Sequence, residues 1–176
     1  MTNFKRIFSF IFLTCFLALL TQASFAAASI SASNTTPLPS FSLPSIFTGQ
    51  KKLTDESMQG RVSLINIWAS WCSACASEHR MLLKIKNQFH VPIYGILFKD
   101  DPSDALRYLK NHGNPYVQVG YDLNGDSPIT ENLYGTPETL VVSPDGNILY
   151  RQVGAINEMT WDVILYPLVK QYENKA

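Results

Sequence analysis

The stretch Val62-Ser63-Leu64-Ile65-Asn66-Ile67-Trp68-Ala69 is rich in β-branched and aromatic residues and is apolar at positions of both parities. A strand that is apolar on both faces has to be covered on both, so this run predicts a buried central strand. Cys72 follows after Ser70 and Trp71, and Ser73, Ala74 and Cys75 come next. From about Cys72 to Phe89 the apolar positions Leu82, Ile85 and Phe89 recur three and four residues apart, as the buried stripe of a helix does. A buried strand that turns at once into a helix carrying Cys-x-x-Cys at its start limits the chain to a layered α/β arrangement.

The remainder of the chain agrees with that class. Pro92 to Leu97 reads as a second buried strand. Asp101 is placed as the N-cap of a further helix, with Pro102 at its first position, running to about Asn111 before Gly113-Asn114-Pro115 breaks it. A short strand is expected near Tyr116 to Val119 and a short helix near Ile129 to Leu133. Glu138 to Ser143 and Ile148 to Val153 flank Pro144-Asp145-Gly146-Asn147, a strong hairpin signal. Asn157 is a plausible cap for a closing helix to about Gln171, which Pro167 should kink or end early. The order implies a mixed sheet covered by helices. Phe41 to Pro44 suits a short edge segment ended by proline.

The N-terminus reads as an export segment. Lys5 and Arg6 precede an uncharged run from Ile7 to Leu20, and small residues follow from Ala23 to Ala28. Ser24-Phe25-Ala26 and Ala26-Ala27-Ala28 both fit a cleavage site, so residues 1–28 are either a cleaved signal peptide or an anchor that uses residues 7–28. Residues 29–40, rich in Ser, Ala, Asn, Thr and Pro, are expected to be a linker, and 41–176 the folded domain. Fourteen basic and fourteen acidic side chains cancel, and without Lys5 and Arg6 the acids are in slight excess. Such a balance carries no electrostatic footprint for nucleic acid.

Export favours disulfide chemistry, yet only Cys72 and Cys75 stand beyond the leader, Cys15 lying within the apolar run. A bridge across so short a loop staples little, so the pair reads as a working dithiol. At a helix N-terminus, unpaired N–H groups and the positive end of the helix dipole favour a thiolate, the attacking species in disulfide exchange. Cys72, at the helix start and nearer solvent, is expected to attack, and Cys75 to resolve the mixed disulfide. His79 could add a ligand to a metal, but no second Cys or His pair completes a site, and Ala76 stands where covalent haem attachment wants His. No metal and no cofactor are therefore expected, and His79 is taken as a surface or packing residue. Glu78, three residues after Cys75, is either a partly buried carboxylate able to take that thiol's proton or a solvated surface acid. Gly135-Thr136-Pro137 is either an ordinary turn or a cis-proline loop that offers the Thr136 backbone to a substrate chain. Glu138 is the second candidate acid.

These motifs converge on one family. Phe41-Ser42-Leu43-Pro44, the run from Asn66 to Cys75 with Glu78-His79, Lys99-Asp100, Gly113-Asn114-Pro115-Tyr116 and Tyr134-Gly135-Thr136-Pro137-Glu138-Thr139 resemble the DsbE/CcmG-type thiol:disulfide interchange proteins of cytochrome c maturation. That group is a branch of the thioredoxin superfamily, and the resemblance runs from about Phe41 to Trp161. Leu140, Phe98 and Glu131-Asn132-Leu133 depart from its usual Phe, Tyr and Gly-Val. The resemblance implies a thioredoxin-like fold with an N-terminal extension and an insert before a cis-Pro loop. It implies that Cys72 and Cys75 are redox-active, that Pro137 is cis, and that Glu78 and Glu138 are acids near the site. Trp71, Thr136 and Glu138 are the expected substrate contacts. It further implies a periplasmic reductase at the inner membrane, acting on apocytochrome c or a cytochrome c maturation protein and supplied with electrons by a DsbD- or CcdA-type membrane protein. A general exported oxidase or isomerase, and a non-catalytic chaperone or metal-binding module, are the competing readings.

Overall fold

The computed structural model describes residues 35–173. The expected export segment, residues 1–28, lies outside the described residues, and among those described no helix is long and apolar enough to cross a membrane. Strand β1 (Thr36–Pro37) is followed by a ribbon of β2 (Ser42–Leu43) and β3 (Leu53–Thr54) and a 3-10 turn at Asp55–Met58. Then come β4 (Ser63–Trp68), helix α1 (Ser73–Lys84), β5 (Ile93–Phe98), α2 (Pro102–His112) and β6 (Gln118–Asp122). The hairpin β7 (Glu138–Val142) and β8 (Asn147–Val153) precedes α3 (Glu158–Thr160) and α4 (Tyr166–Glu173).

The sheet has six strands in the order β1-β8-β7-β4-β5-β6. Strands β4, β5 and β6 are parallel, while β7 runs antiparallel to β4 and β8 to β7. All six residues of β4 are buried, as its apolar run required. The two faces carry separate cores. Leu64, Trp68, Leu97, Val119 and Val141 share one with Leu82 of α1, Ile85 just beyond it, Leu109 of α2 and Trp161 of the closing helix. Ile65, Ile67, Ile96, Leu140 and Val142 lie on the other under Leu38, Phe41, Leu43, Leu53, Met58 and Ile129. Helices thus gather on one face. The connections β4-α1-β5 and β5-α2-β6 step the same way along the sheet, and crossovers of one hand put both helices on the same side. The β2–β3 ribbon and its neighbours fill in for helices on the opposite face. The same segment covers the β6 edge, where Ile46 N–H donates to Val119 and Tyr121 N–H to Pro44.

Three expectations are revised. The linker assigned to residues 29–40 ends sooner, because Thr36 and Pro37 pair with Ile148 and Asn147 and Leu38 is buried. An apolar residue next to a strand edge gains more by packing than by serving as a spacer. The short helix near Ile129 is a pair of turns, with Thr130 N–H bonded to Ser127 and Leu133 N–H to Thr130. Pro167 does not end the closing helix, which continues to Glu173. A π-helical turn at Trp161–Leu165 precedes it. Its wider spacing shifts the backbone bonds just where proline cannot donate one. A similar π turn at Ile85–Phe89 extends α1 to the left-handed His90.

Candidate active site

Strand β4 ends at Trp68, and Ala69-Ser70-Trp71 turns the chain so that Cys72 becomes the N-cap of α1. Its Sγ accepts the N–H of Cys75 at 3.0 Å, the bond that a capping side chain makes to the first helical turn. Cys72 and Cys75 form a disulfide, with their Cα atoms 5.2 Å apart. The two are equally covered, at 7% and 6% exposure. Exposure therefore does not separate them as expected. What distinguishes Cys72 is its cap position and its Sγ, 3.5 Å from the Thr136 carbonyl oxygen.

The turn before the pair is tied to the end of β5. The buried carboxylate of Asp100 accepts the N–H of Ser70 at 2.6 Å and of Asp101 at 2.8 Å. Trp71 Nε1 donates to the Lys99 carbonyl at 3.2 Å, which leaves the indole 61% exposed beside the cysteines. From the other side comes the loop Tyr134–Pro137, whose Thr136–Pro137 bond is cis. The Pro137 carbonyl accepts Gly154 N–H at 3.0 Å, and Tyr134 stands 82% exposed at the rim. Cys72, Trp71, Thr136 and Pro137 are thus brought together at one end of the sheet.

The two acids are not together. Glu78 is buried under α1, at 1% exposure. Its Oε1 accepts Asn66 Nδ2 at 2.9 Å and its Oε2 accepts Ile156 N–H at 2.7 Å. Burial pushes its pKa up to about 7, against the opposing pull of those two hydrogen bonds. The solvated-surface alternative for Glu78 is therefore excluded. Glu138 lies on the opposite face of the sheet, since it alternates with Thr139, which reaches Asn66, and shares parity with Leu140 and Val142 of the other core. It is fully buried, ion-paired with Arg151, and accepts the N–H of Tyr134 at 3.3 Å. A side chain with no exposed surface does not touch a docked polypeptide. Glu138 instead holds the Tyr134 end of the loop.

Sequence reasoning assigned no part to Asn66, Asp100 or Asp122, all buried. The signal for Asn66 was available, because an amide inside an otherwise apolar central strand must find partners. His79 packs its ring edge-on against Tyr108 and bonds to the Gly113 carbonyl through Nε2 at 3.0 Å, and burial lowers its pKa.

A cysteine pair at a helix start, a neighbouring backbone carbonyl and a buried acid one turn further on can attack a disulfide, resolve it and manage the proton. Comparison with known proteins agrees. The Redoxin family profile matches residues 33–163. The thiol:disulfide interchange protein DsbE of Allochromatium vinosum is 37% identical over 137 residues, spanning 78% of this chain and 76% of that protein. DsbE of Escherichia coli is 36% identical over 141 residues, spanning 80% and 76%. Among solved structures, a thiol-disulfide oxidoreductase from Bacteroides fragilis superposes with a TM-score of 0.57 at 26% identity, covering 77% of this chain and 98% of that one. A thioredoxin family thiol:disulfide interchange protein from Chlorobium tepidum has the same fold, with a TM-score of 0.62 at 24% identity over 81% of this chain and 99% of that one.

Proposed function

The chain belongs to the Redoxin family and, within it, to the DsbE-type thiol:disulfide interchange proteins, and from this premise we propose that it is a reductase serving cytochrome c maturation outside the cytoplasm. As a thiol–disulfide oxidoreductase it exchanges electrons through Cys72 and Cys75. In the reductive direction, the Cys72 thiolate attacks one sulfur of a partner's disulfide, forming a mixed disulfide and releasing the partner's other sulfur as a thiolate. Cys75 then gives its proton to Glu78 and attacks the Cys72 sulfur. The products are the Cys72–Cys75 disulfide and a partner reduced by two electrons. The released partner sulfur takes up a proton from solvent. A DsbD- or CcdA-type dithiol restores the pair by the reverse exchange.

The observation that carries this reading is the cap position of Cys72, whose Sγ takes a helix N–H and lies against the Thr136 carbonyl. That position stabilises the attacking thiolate, and the Thr136 backbone is placed to pair with an extended substrate. The dipeptide Ser73-Ala74 adds no cation or His that would make the pair strongly oxidising. Trp71 and Thr136 meet the substrate, and Glu138 sets the loop between them. Apocytochrome c or a maturation protein is the electron acceptor. Residues 1–28 carry the domain to the periplasm, as a cleaved signal or as an inner-membrane anchor through residues 7–28.

Trapping tests both the roles and the partner. Cys75→Ser, expressed in cells, is expected to accumulate mixed disulfides with cytochrome c or a maturation protein, and Cys72→Ser to accumulate none. Equal accumulation from both variants would remove the role assignment. Equilibration with glutathione is expected to give a reduction potential below about −180 mV, and a value near the −120 mV or so of a DsbA-type oxidant would reverse the direction proposed.

A further inference from the structure

Asn66 sits within the fully buried strand β4, and its amide meets three polar groups. Nδ2 donates to Glu78 Oε1 at 2.9 Å and to Thr139 Oγ1 at 3.0 Å, while the Tyr116 hydroxyl reaches Oδ1 at 2.8 Å. The chemistry of the groups decides which way the amide points. A carboxylate only accepts, so an ionised Glu78 requires the nitrogen, and the oxygen is left for Tyr116, whose hydroxyl must donate. Half a turn of the amide would put its oxygen against Glu78, an arrangement that suits a protonated carboxyl able to donate. It would also strand the hydroxyl hydrogen of Tyr116, a buried side chain with no other hydrogen bond among the described residues. A buried donor without a partner is costly, so the hydroxyl selects one orientation.

We propose that Tyr116 and Asn66 are positioning residues of the exchange reaction: the Tyr116 hydroxyl holds the Asn66 amide with its nitrogen toward Glu78, and the oriented amide keeps Glu78 in the anionic form that can receive the resolving thiol's proton. The last step rests on the proposed role of Glu78, while the orientation does not. Burial works against this anion, and the Asn66 amide and the Ile156 N–H are the groups that oppose it. Other titratable groups facing it are Cys75 on its own helix, Tyr108 from α2 and Tyr116 from the segment before β6. No cation pairs with Glu78 among the described residues. The network is therefore the local means of holding its charge.

The test is a carbon-13 NMR titration of the Glu78 carboxyl in the full-length oxidised protein, where neither active-site cysteine titrates. In Tyr116→Phe the midpoint is expected to rise by about one pH unit, since an amide free to turn favours the neutral acid. In the reduced protein, the pH profile of Cys75 alkylation is expected to move in step. An unchanged Glu78 midpoint in a folded Tyr116→Phe protein overturns the proposal. A shifted midpoint with an unchanged alkylation profile supports the orienting role and overturns Glu78 as proton acceptor. If the variant does not fold, the unmodified protein decides. The Asn66 side-chain amide signals should titrate with the Glu78 midpoint, and pH-independent signals overturn the coupling.

Discussion

Two buried carboxylates show how one residue type serves opposite ends. Burial lifts the folded pKa of Glu78 to about 7 from the ordinary glutamate value of 4.5, opposed only by neutral donors, with no cation paired to it among the described residues. Between those values the folded chain retains a proton that the unfolded chain has released. Stability therefore falls as the pH rises through that window, by on the order of 3 kcal/mol, and the full amount is recovered below it. Denaturant unfolding of the oxidised protein across this range should show the fall, and Glu78→Gln should remove the slope. A slope that survives the substitution would assign it to other groups. Glu138 is held by charge instead, through Arg151, whose side chain is part-exposed. Removing Arg151 leaves a buried anion without its partner. Arg151→Ala should cost about 3 kcal/mol or more, with much of it recovered in the Arg151→Ala, Glu138→Gln double variant. Equal losses in the single and double variants would mean that the pair contributes little beyond packing.

Between β6 and the Thr136 loop, the insert is organised by one side chain at a strand end. The buried carboxylate of Asp122 accepts the N–H groups of Gly125, Asp126 and Ser127 and the hydroxyl of Thr130. Such a loop has no regular ladder, and the carboxylate gathers the donors that a helix N-terminus would otherwise leave to a cap. Gly125 is required here by space as well as by φ, which is +73°. A Cβ at this position would collide with Lys99 Cε and the Phe98 ring. This contact joins the insert to the strand end that holds Trp71. Asp122→Ala should loosen the insert before the sheet. Amide exchange at Gly125, Asp126 and Ser127 is expected to rise at least about tenfold while β4 and β7 stay protected. Uniform acceleration across the sheet would instead make Asp122 part of the global core.

At the scale of the molecule, the six-stranded sheet separates a helix-covered core from one closed by the N-terminal segment and the insert. A chain beginning at Asn34 serves as the reference for denaturant unfolding. One beginning at Phe41 should lose about 2 kcal/mol, because β1 and the burial of Leu38 go with the missing residues. Equal midpoints for the two would return Thr36–Leu38 to the linker. Much of this organisation was legible in the chain itself: the strand of Val62 to Ala69, the helix start at Cys72, the capped helix at Pro102 and the hairpin around Asp145-Gly146. Those signals are local, because periodicity and turn chemistry report the face and the boundary of one element at a time. Tertiary structure alone decided the rest. Glu78 meets Ile156 across 78 residues and Asn66 meets Thr139 across 73, and no local period encodes such contacts. The placement of Glu78 and Glu138 on opposite faces follows from the register of β7 against β4. The contact of Cys72 Sγ with the Thr136 carbonyl oxygen likewise joins residues 64 apart. A sequence specifies which residues carry the chemistry when their spacing is short; partners and burial, and with them the charge each group holds, exist only once distant strands are in register.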